Sequence, residues 1–125
     1  MTSGIGLLKI SAIYLAAGSL LGLFMGIRQD FVLTSVHVHV SLLGWLAFAV
    51  AGMTYVLIPA CEASALARVH FLGHNIGFPV MMISLALYAY GFREAEKAIA
   101  VSSTVVVVSL LVFVANVLIN AHKEP

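Results

Sequence analysis

Charged residues are scarce in this sequence. Of its 125 residues, 9% are charged and 62% are apolar, and the mean hydropathy is +1.12. A soluble domain carries about 25% charged residues. The composition therefore predicts an integral membrane protein with almost nothing outside the lipid bilayer. The formal net charge of +1 gives no reason to expect a nucleic-acid partner.

Cysteine and the familiar catalytic motifs are also scarce or missing. The single cysteine, Cys61, excludes an internal disulfide and a cysteine-based zinc site. There is no phosphate-binding glycine loop, no dinucleotide fingerprint and no serine–histidine–aspartate arrangement. Methionine can ligate heme or copper, but it more often fills gaps in a core. These absences leave histidine as the main candidate for chemistry.

Long apolar runs are abundant, and four of them reach the roughly 20 residues that a helix needs to cross a bilayer. They cover residues 5–27, 36–59, 69–92 and 98–121. Their connections are short, so neighbouring helices should be antiparallel and both termini should lie on one side. We predict an all-α, integral membrane, four-helix protein that forms a single domain over residues 1–125. The first run holds a lysine and is too long for a signal-peptide core, so we expect it to be retained.

The basic residues do not decide which side faces the cytoplasm. Each side of the membrane carries three: Lys9, Arg68 and Lys123 on the side of the termini, and Arg28, Arg93 and Lys97 on the other. Orientation follows an excess of lysine and arginine in cytoplasmic loops. With three on each side, charge alone gives no prediction.

Glycines at a spacing of four mark one face of the first span and one face of the third. They are Gly18, Gly22 and Gly26, and then Gly73 and Gly77. Small residues at this spacing let another helix approach closely. We expect the first set to be a packing face, whereas the shorter pair is a weaker signal because glycine is common in membrane helices. Pro79 should loosen or kink the third helix.

Two histidines stand two residues apart where the second span begins. An ionisable side chain inside a membrane span is costly and is a functional candidate by default, and neutral imidazole binds metal. Residues i and i+2 of a helix point about 200° apart. His37 and His39 therefore cannot easily grip one iron, but they can serve two irons on opposite sides, or one can ligate while the other packs. The alternative is a pair of interfacial histidines that bond to headgroups or backbone.

Two further residues of the second span are candidates for contact with a cofactor. Gly44 would leave room for a flat macrocycle or for another helix, and Trp45 should pack against a partner helix or a cofactor. We predict that this stretch, with His37 and His39 as ligands, binds heme iron.

A second histidine pair begins the third span. His70 and His74 are spaced i, i+4 and share a helix face, on the opposite side of the membrane from the first pair. They are weaker metal candidates, and they could instead line a quinone or proton site with Asn75, Asn116 and Asn120. The alternative is a polar cluster held by hydrogen bonds at the membrane edge.

The run from His37 to Trp45, with the apolar residues that follow to Pro59, resembles the tenth helix of the catalytic subunit (subunit I) of heme–copper oxidases. It is most similar to the cbb-type oxidases and nitric oxide reductases. Residues 69–77 resemble the next helix of that subunit. In that family the first histidine of the pair ligates the high-spin heme and the second ligates the low-spin heme. The resemblance implies that His37 and His39 each ligate a heme b.

The family subunit has twelve spans in three arcs of four, and its copper histidines lie on helices that have no counterpart here. The resemblance implies a single arc that assembles as a symmetric homo-oligomer, with a homotrimer favoured. Heme would then lie where subunits meet, with His37 of one subunit near His39 of the next. It also implies a multi-pass protein of the cell (inner or plasma) membrane with cytoplasmic termini. A quinol or a small redox protein is a candidate partner.

Three functions follow as expectations. The first is a bis-histidine cytochrome b that transfers electrons or senses redox state or a gas. The second is a minimal oxygen or nitric oxide reductase with an open heme site, aided by copper at an oligomer interface. The third is a non-redox membrane interaction or transport protein in which His70, His74 and Asn116 form a polar path.

Overall fold

The chain is helical along nearly its whole length. A computed structural model describes residues 3–122. Its helices are α1 (Ser3–Arg28), α2 (Thr34–His39), a π-helical segment (Val40–Leu46), α3 (Ala47–Leu57), α4 (Pro59–Glu62), α5 (Ala65–Ala89) and α6 (Ala95–Asn120). No strand occurs between residues 3 and 122, so the predicted all-α fold class is confirmed.

Four of these helical stretches are long and apolar enough to cross a membrane. They are α1, the continuous second span Thr34–Leu57, α5 and α6, each of 24 to 26 residues. The four predicted spans are therefore present, as expected of a multi-pass membrane protein. The third span, α5, begins at Ala65, four residues before its predicted start, because a capping residue and not hydropathy decides where the helix begins. Ser64 Oγ accepts a hydrogen bond from the Leu66 amide at 3.1 Å, which satisfies one of the helix's free donors.

The start of α1 is capped by a residue far away in the sequence. The Gly4 amide donates to Glu62 Oε1 at 2.9 Å, across 58 residues. A carboxylate is favourable at a helix N-terminus because the first amides have no partner within the helix and the helix dipole is positive there. This bond ties α4 to the beginning of the first span.

The helices pack mainly in two pairs, α1 with the second span and α5 with α6. Glycines let α1 and the second span approach each other closely. A Cβ on Gly4 would lie 2.9 Å from the Gly52 carbonyl oxygen, and one on Gly22 would lie 2.8 Å from Cε1 of His37. The start of α1 thus meets α3, and the end of α1 meets α2.

The glycine prediction is confirmed at two positions of the first set and stays a prediction at the third. Gly18 packs on Val40 and Gly22 on His37, whereas a Cβ on Gly26 would meet no atom of residues 3–122 within 4 Å. The glycine pair in α5 also packs closely on α6. Gly73 lies against Ser109, and Gly77 lies against Val105 and Val106.

Aromatic rings fill the space where the two helix pairs meet. Tyr14 stacks on Phe48 at 5.6 Å between ring centroids, and Phe78 meets Tyr14 edge-on at 5.2 Å. Phe48 in turn stacks on His74 at 3.9 Å. Phe48, Phe78 and His74 are fully buried, so this column of rings joins α1, the second span and α5.

Adding a methyl group at Gly52 should separate α1 from α3. The Cβ of Gly52→Ala would lie 2.9 Å from the Gly4 carbonyl oxygen and 3.0 Å from the Leu8 amide nitrogen. Backbone atoms cannot rotate away, so we expect a loss of about 1–3 kcal/mol in the free energy of unfolding. Denaturant titration in detergent, followed by circular dichroism, measures it.

The matched control is Gly26→Ala, which adds the same methyl group in open space. Alanine favours a helix over glycine by about 1 kcal/mol, so this variant should be as stable as the parent or more so. Equal losses in the two variants would contradict the close contact.

Candidate functional site

His37 is held by the first span. Its Nδ1 lies 3.0 Å from the Gly18 carbonyl oxygen, and its ring rests against the bare face of Gly22. A carbonyl only accepts hydrogen bonds, so Nδ1 carries the proton and donates. In the neutral ring the lone pair is then on Nε2.

His39 has the same arrangement through a different partner. Its Nδ1 donates to the Ser35 carbonyl at 2.7 Å, one turn earlier in the same helix. Both imidazoles are partly exposed. Within residues 3–122, no protein group bonds to Nε2 of either ring. Metal-binding histidines are typically held in this way, with one nitrogen donating to a carbonyl and the other left for the metal.

The imidazole rings of His37 and His39 lie on different sides of their helix. His37 faces α1, and the roughly 200° between positions i and i+2 turns His39 away from α1. Val38 between them is 43% exposed. One chain therefore offers two separate imidazole nitrogens, and the prediction that each binds iron stays a prediction.

Gly44 and Trp45 lie on different faces of the second span. A Cβ on Gly44 would lie 2.9 Å from Cε1 of Phe78 and 3.0 Å from Cγ of Tyr14. The room that Gly44 leaves is therefore taken by rings of the same chain, which matches the expectation of another helix there. Trp45 is 38% exposed on the outside, and its contact with a cofactor stays a prediction.

The second histidine pair forms a continuous chain of buried hydrogen bonds. His70 Nδ1 lies 2.9 Å from the Tyr55 hydroxyl, and His70 Nε2 lies 3.4 Å from His74 Nδ1. His74 Nε2 lies 3.1 Å from the Leu43 carbonyl oxygen. Tyr55, His70 and His74 are all 0% exposed.

The protons in this chain have one consistent arrangement with both rings neutral. The Leu43 carbonyl can only accept, so His74 Nε2 donates to it and His74 Nδ1 accepts. His70 Nε2 must then donate to His74, and the Tyr55 hydroxyl donates to His70 Nδ1. Both nitrogens of each ring are occupied, so iron or copper could bind these histidines only after a bond within the protein is broken.

The chain continues into a cluster of polar groups near the start of α5. Asn116 lies beside the Tyr55 hydroxyl and donates to the Cys61 carbonyl at 2.9 Å, and Asn120 donates to Asn116 Oδ1 at 2.8 Å. Burial raises the pKa of the Cys61 thiol, which keeps it protonated and unreactive.

The polar site predicted from the sequence included some of the asparagines that belong to the buried chain, but it did not include Tyr55. Asn116 joins the buried chain, whereas Asn75 donates to the Phe71 carbonyl within its own helix. Tyr55 could have been suspected because a buried tyrosine hydroxyl needs a partner. Its partner His70 lies across a turn and in another span, which no local pattern indicates.

Between residues 3 and 122, no group of three or more histidine, cysteine, aspartate or glutamate side chains comes together as a metal site. A copper or zinc centre built by one chain therefore has no ligand set in the described part. Heme differs because its porphyrin supplies four ligands and the protein supplies only the axial ones.

Comparison of the chain with known protein families, characterised proteins and solved structures found no significant match.

The buried chain should contribute to stability through Tyr55. Tyr55→Phe removes the donor to His70 Nδ1 and leaves a buried acceptor without a partner, which costs about 1–3 kcal/mol. Denaturant titration of the variant in detergent measures this loss. Tyr90→Phe is the control, because Tyr90 is 58% exposed and should lose almost nothing. A Tyr55 variant as stable as the parent would refute the bond to His70.

Proposed function

We propose that this protein is a membrane-embedded, b-type heme protein, a bis-histidine cytochrome related to the catalytic subunit of heme–copper oxidases. It would transfer electrons or sense redox state or a gas. One observation carries the proposal: at the beginning of a membrane span, His37 and His39 each donate Nδ1–H to a backbone carbonyl and have no partner for Nε2 among residues 3–122.

The residues present fit the role of imidazole ligands that would hold a heme iron. The Gly18 carbonyl and the flat surface of Gly22 fix the His37 ring in orientation and tautomer, and the Ser35 carbonyl does the same for His39. A hydrogen bond at Nδ1 also makes Nε2 a better ligand. A bound heme would supply the one-electron redox couple, with a potential set by its axial ligands and its burial.

A heme with two histidine ligands needs an imidazole from a second chain, because His37 and His39 of one chain point apart. We therefore infer a symmetric homo-oligomer, with a homotrimer favoured, in which His37 of one subunit and His39 of the partner subunit hold one heme b. The contacts of Gly4 with Gly52 and of Gly22 with His37 support an antiparallel first pair of spans. We place the protein in the cell membrane with cytoplasmic termini and a quinol or small redox protein as electron partner.

The reduced visible spectrum of protein purified from heme-replete cells tests the ligands. The parent should show the sharp α-band of a six-coordinate heme b. His37→Ala and His39→Ala should each abolish the band or convert it to a five-coordinate spectrum. His122→Ala is the control, because His122 is exposed after the end of α6, and it should leave the band unchanged.

Two results would end the proposal. One is a folded preparation that stays colourless after hemin supplementation, and the other is an unaltered α-band in both histidine variants. Rapid binding of carbon monoxide to the reduced parent protein would instead favour the minimal oxygen or nitric oxide reductase, since it needs an open coordination position.

The glycine beside His37 gives a subtler test of the same site. The methyl group of Gly22→Ala would lie 2.8 Å from Cε1 of His37 and must displace the ring. We expect a shifted or weakened α-band, whereas Gly26→Ala, one turn later and in open space, should match the parent. The same spectrum from both variants would show that His37 does not ligate heme where the structure places it.

The oligomer has its own measurement. Native mass spectrometry from detergent should give three times the subunit mass, with one heme for each interface. Only monomers or dimers over a range of mild detergents would rule out the trimer.

One observation favours a second function, transport by a non-redox membrane protein. The structure joins Asn116, Tyr55, His70 and His74 in one buried polar path. Proton flux into liposomes that contain colourless, iron-free protein, and its loss in His70→Phe, would support this function.

A further inference from the structure

The second span contains a π-helical segment between its two α-helical parts. It covers Val40–Leu46, and at its end the Ala47 amide donates to the Leu42 carbonyl, five residues back. π-Helices are rare, usually amount to a single turn and occur often at functional sites. This segment of seven residues is a local departure from the α-helix that a contact with another span can stabilise.

The segment sets the direction in which the two histidines point. A π turn holds about one residue more than an α turn, and one residue corresponds to roughly 100° around a helix. If the segment became α-helical, α2 would turn by about that angle relative to α3. His37 would then leave the Gly18 carbonyl, so the bond at His37 Nδ1 depends on the π conformation.

Among residues 3–122, a hydrogen bond reaches the backbone of this segment from another span, and its donor is His74. Its Nε2–H donates to the Leu43 carbonyl oxygen at 3.1 Å, and a carbonyl oxygen has two lone pairs, so it can accept this bond beside a helical one. His74 is fully buried, and partly exposed Leu43 lies within a membrane-spanning segment, where lipid offers no substitute donor.

His74 cannot easily turn its N–H elsewhere. Its ring stacks on Phe48 at 3.9 Å between centroids. Its Nδ1 is held by His70 at 3.4 Å, and His70 in turn is held by the Tyr55 hydroxyl at 2.9 Å. The two neighbours fix both the orientation and the tautomer of His74, so its donor stays directed at Leu43.

We propose that His74 is a positioning residue, which holds the π segment through the Leu43 carbonyl and thereby sets the angle at which His37 and His39 are presented. The inference deepens the proposed function, since it assumes that these two histidines are the heme ligands. It gives the buried histidine pair a role in the site while both nitrogens of each ring are bonded within the protein.

Two pairs of isotope labels report the two hydrogen bonds separately. Leucine labelled with carbonyl ¹³C and glycine labelled with ¹⁵N mark three bonds in this sequence: Leu21–Gly22, Leu43–Gly44 and Leu72–Gly73. Glycine carbonyl ¹³C with serine ¹⁵N marks Gly18–Ser19 alone. The full chain is placed in lipid bilayers and chemically reduced, so that low-spin heme is diamagnetic. Solid-state NMR then measures the carbonyl chemical shifts of Leu43 and Gly18.

His74→Phe keeps a ring that can stack on Phe48 but removes the donor. We expect the carbonyl signals of both Leu43 and Gly18 to move upfield, as they do when a carbonyl loses a hydrogen bond, and the α-band of the bound heme to shift. His74→Gln places an amide N–H close to the position of Nε2 and should restore all three signals. Asn75→Leu is the control, because Asn75 bonds only within α5, and it should change none.

Each other outcome overturns the inference. Movement of the Leu43 signal alone would mean that His74 makes a local bond without positioning His37. No movement would mean that the bond is absent, and failure of His74→Gln to rescue would mean that ring volume and not the donor matters. If His74→Phe does not fold, His74→Asn replaces it, since its shorter amide cannot reach Leu43.

A colourless preparation would end the proposed function but not this test. The Leu43 and Gly18 signals need no heme, so they would still decide whether His74 controls the setting of His37.

Discussion

A polar group in the interior of a membrane protein has no solvent to bond with, so the chain itself must supply every partner. This constraint shapes the centre of the present structure. Within residues 3–122, no buried side-chain nitrogen or oxygen lacks a partner. The chain from Tyr55 through His70 and His74 to the Leu43 carbonyl meets the requirement with neutral rings and a single arrangement of protons.

The same constraint separates the two histidine pairs. His70 and His74 are buried and use both nitrogens of each ring within the protein, so they act as connections between spans. His37 and His39 lie at the beginning of a span, partly exposed, and use one nitrogen each. Within the described part of the chain, the two pairs therefore differ in chemical character: both nitrogens of His70 and His74 have protein partners, whereas His37 and His39 each keep one nitrogen without a protein partner.

The sequence predicted the features that depend on local composition and on the spacing of residues along a helix. Four apolar runs indicated four spans, and glycine spacing indicated the packing at Gly18 and Gly22. Gly26 has the same spacing, but no atom of residues 3–122 lies within 4 Å of a Cβ built there, which the spacing along one helix does not indicate. Neither the π segment nor the bond from Tyr55 to His70 was predicted, because both depend on contacts between spans. The proposed heme site was inferred from the position and spacing of His37 and His39 together with a resemblance over part of the chain.

The bond between the Gly4 amide and Glu62 also bears on the order of events during synthesis. Gly4 leaves the ribosome 58 residues ahead of its cap. The first helix must therefore enter the membrane with its leading amides hydrated or bound to lipid headgroups, and it acquires its permanent anion only after the second span has followed. The amide of Gly4 can therefore take its carboxylate cap only after the loop that precedes the third span has been synthesised.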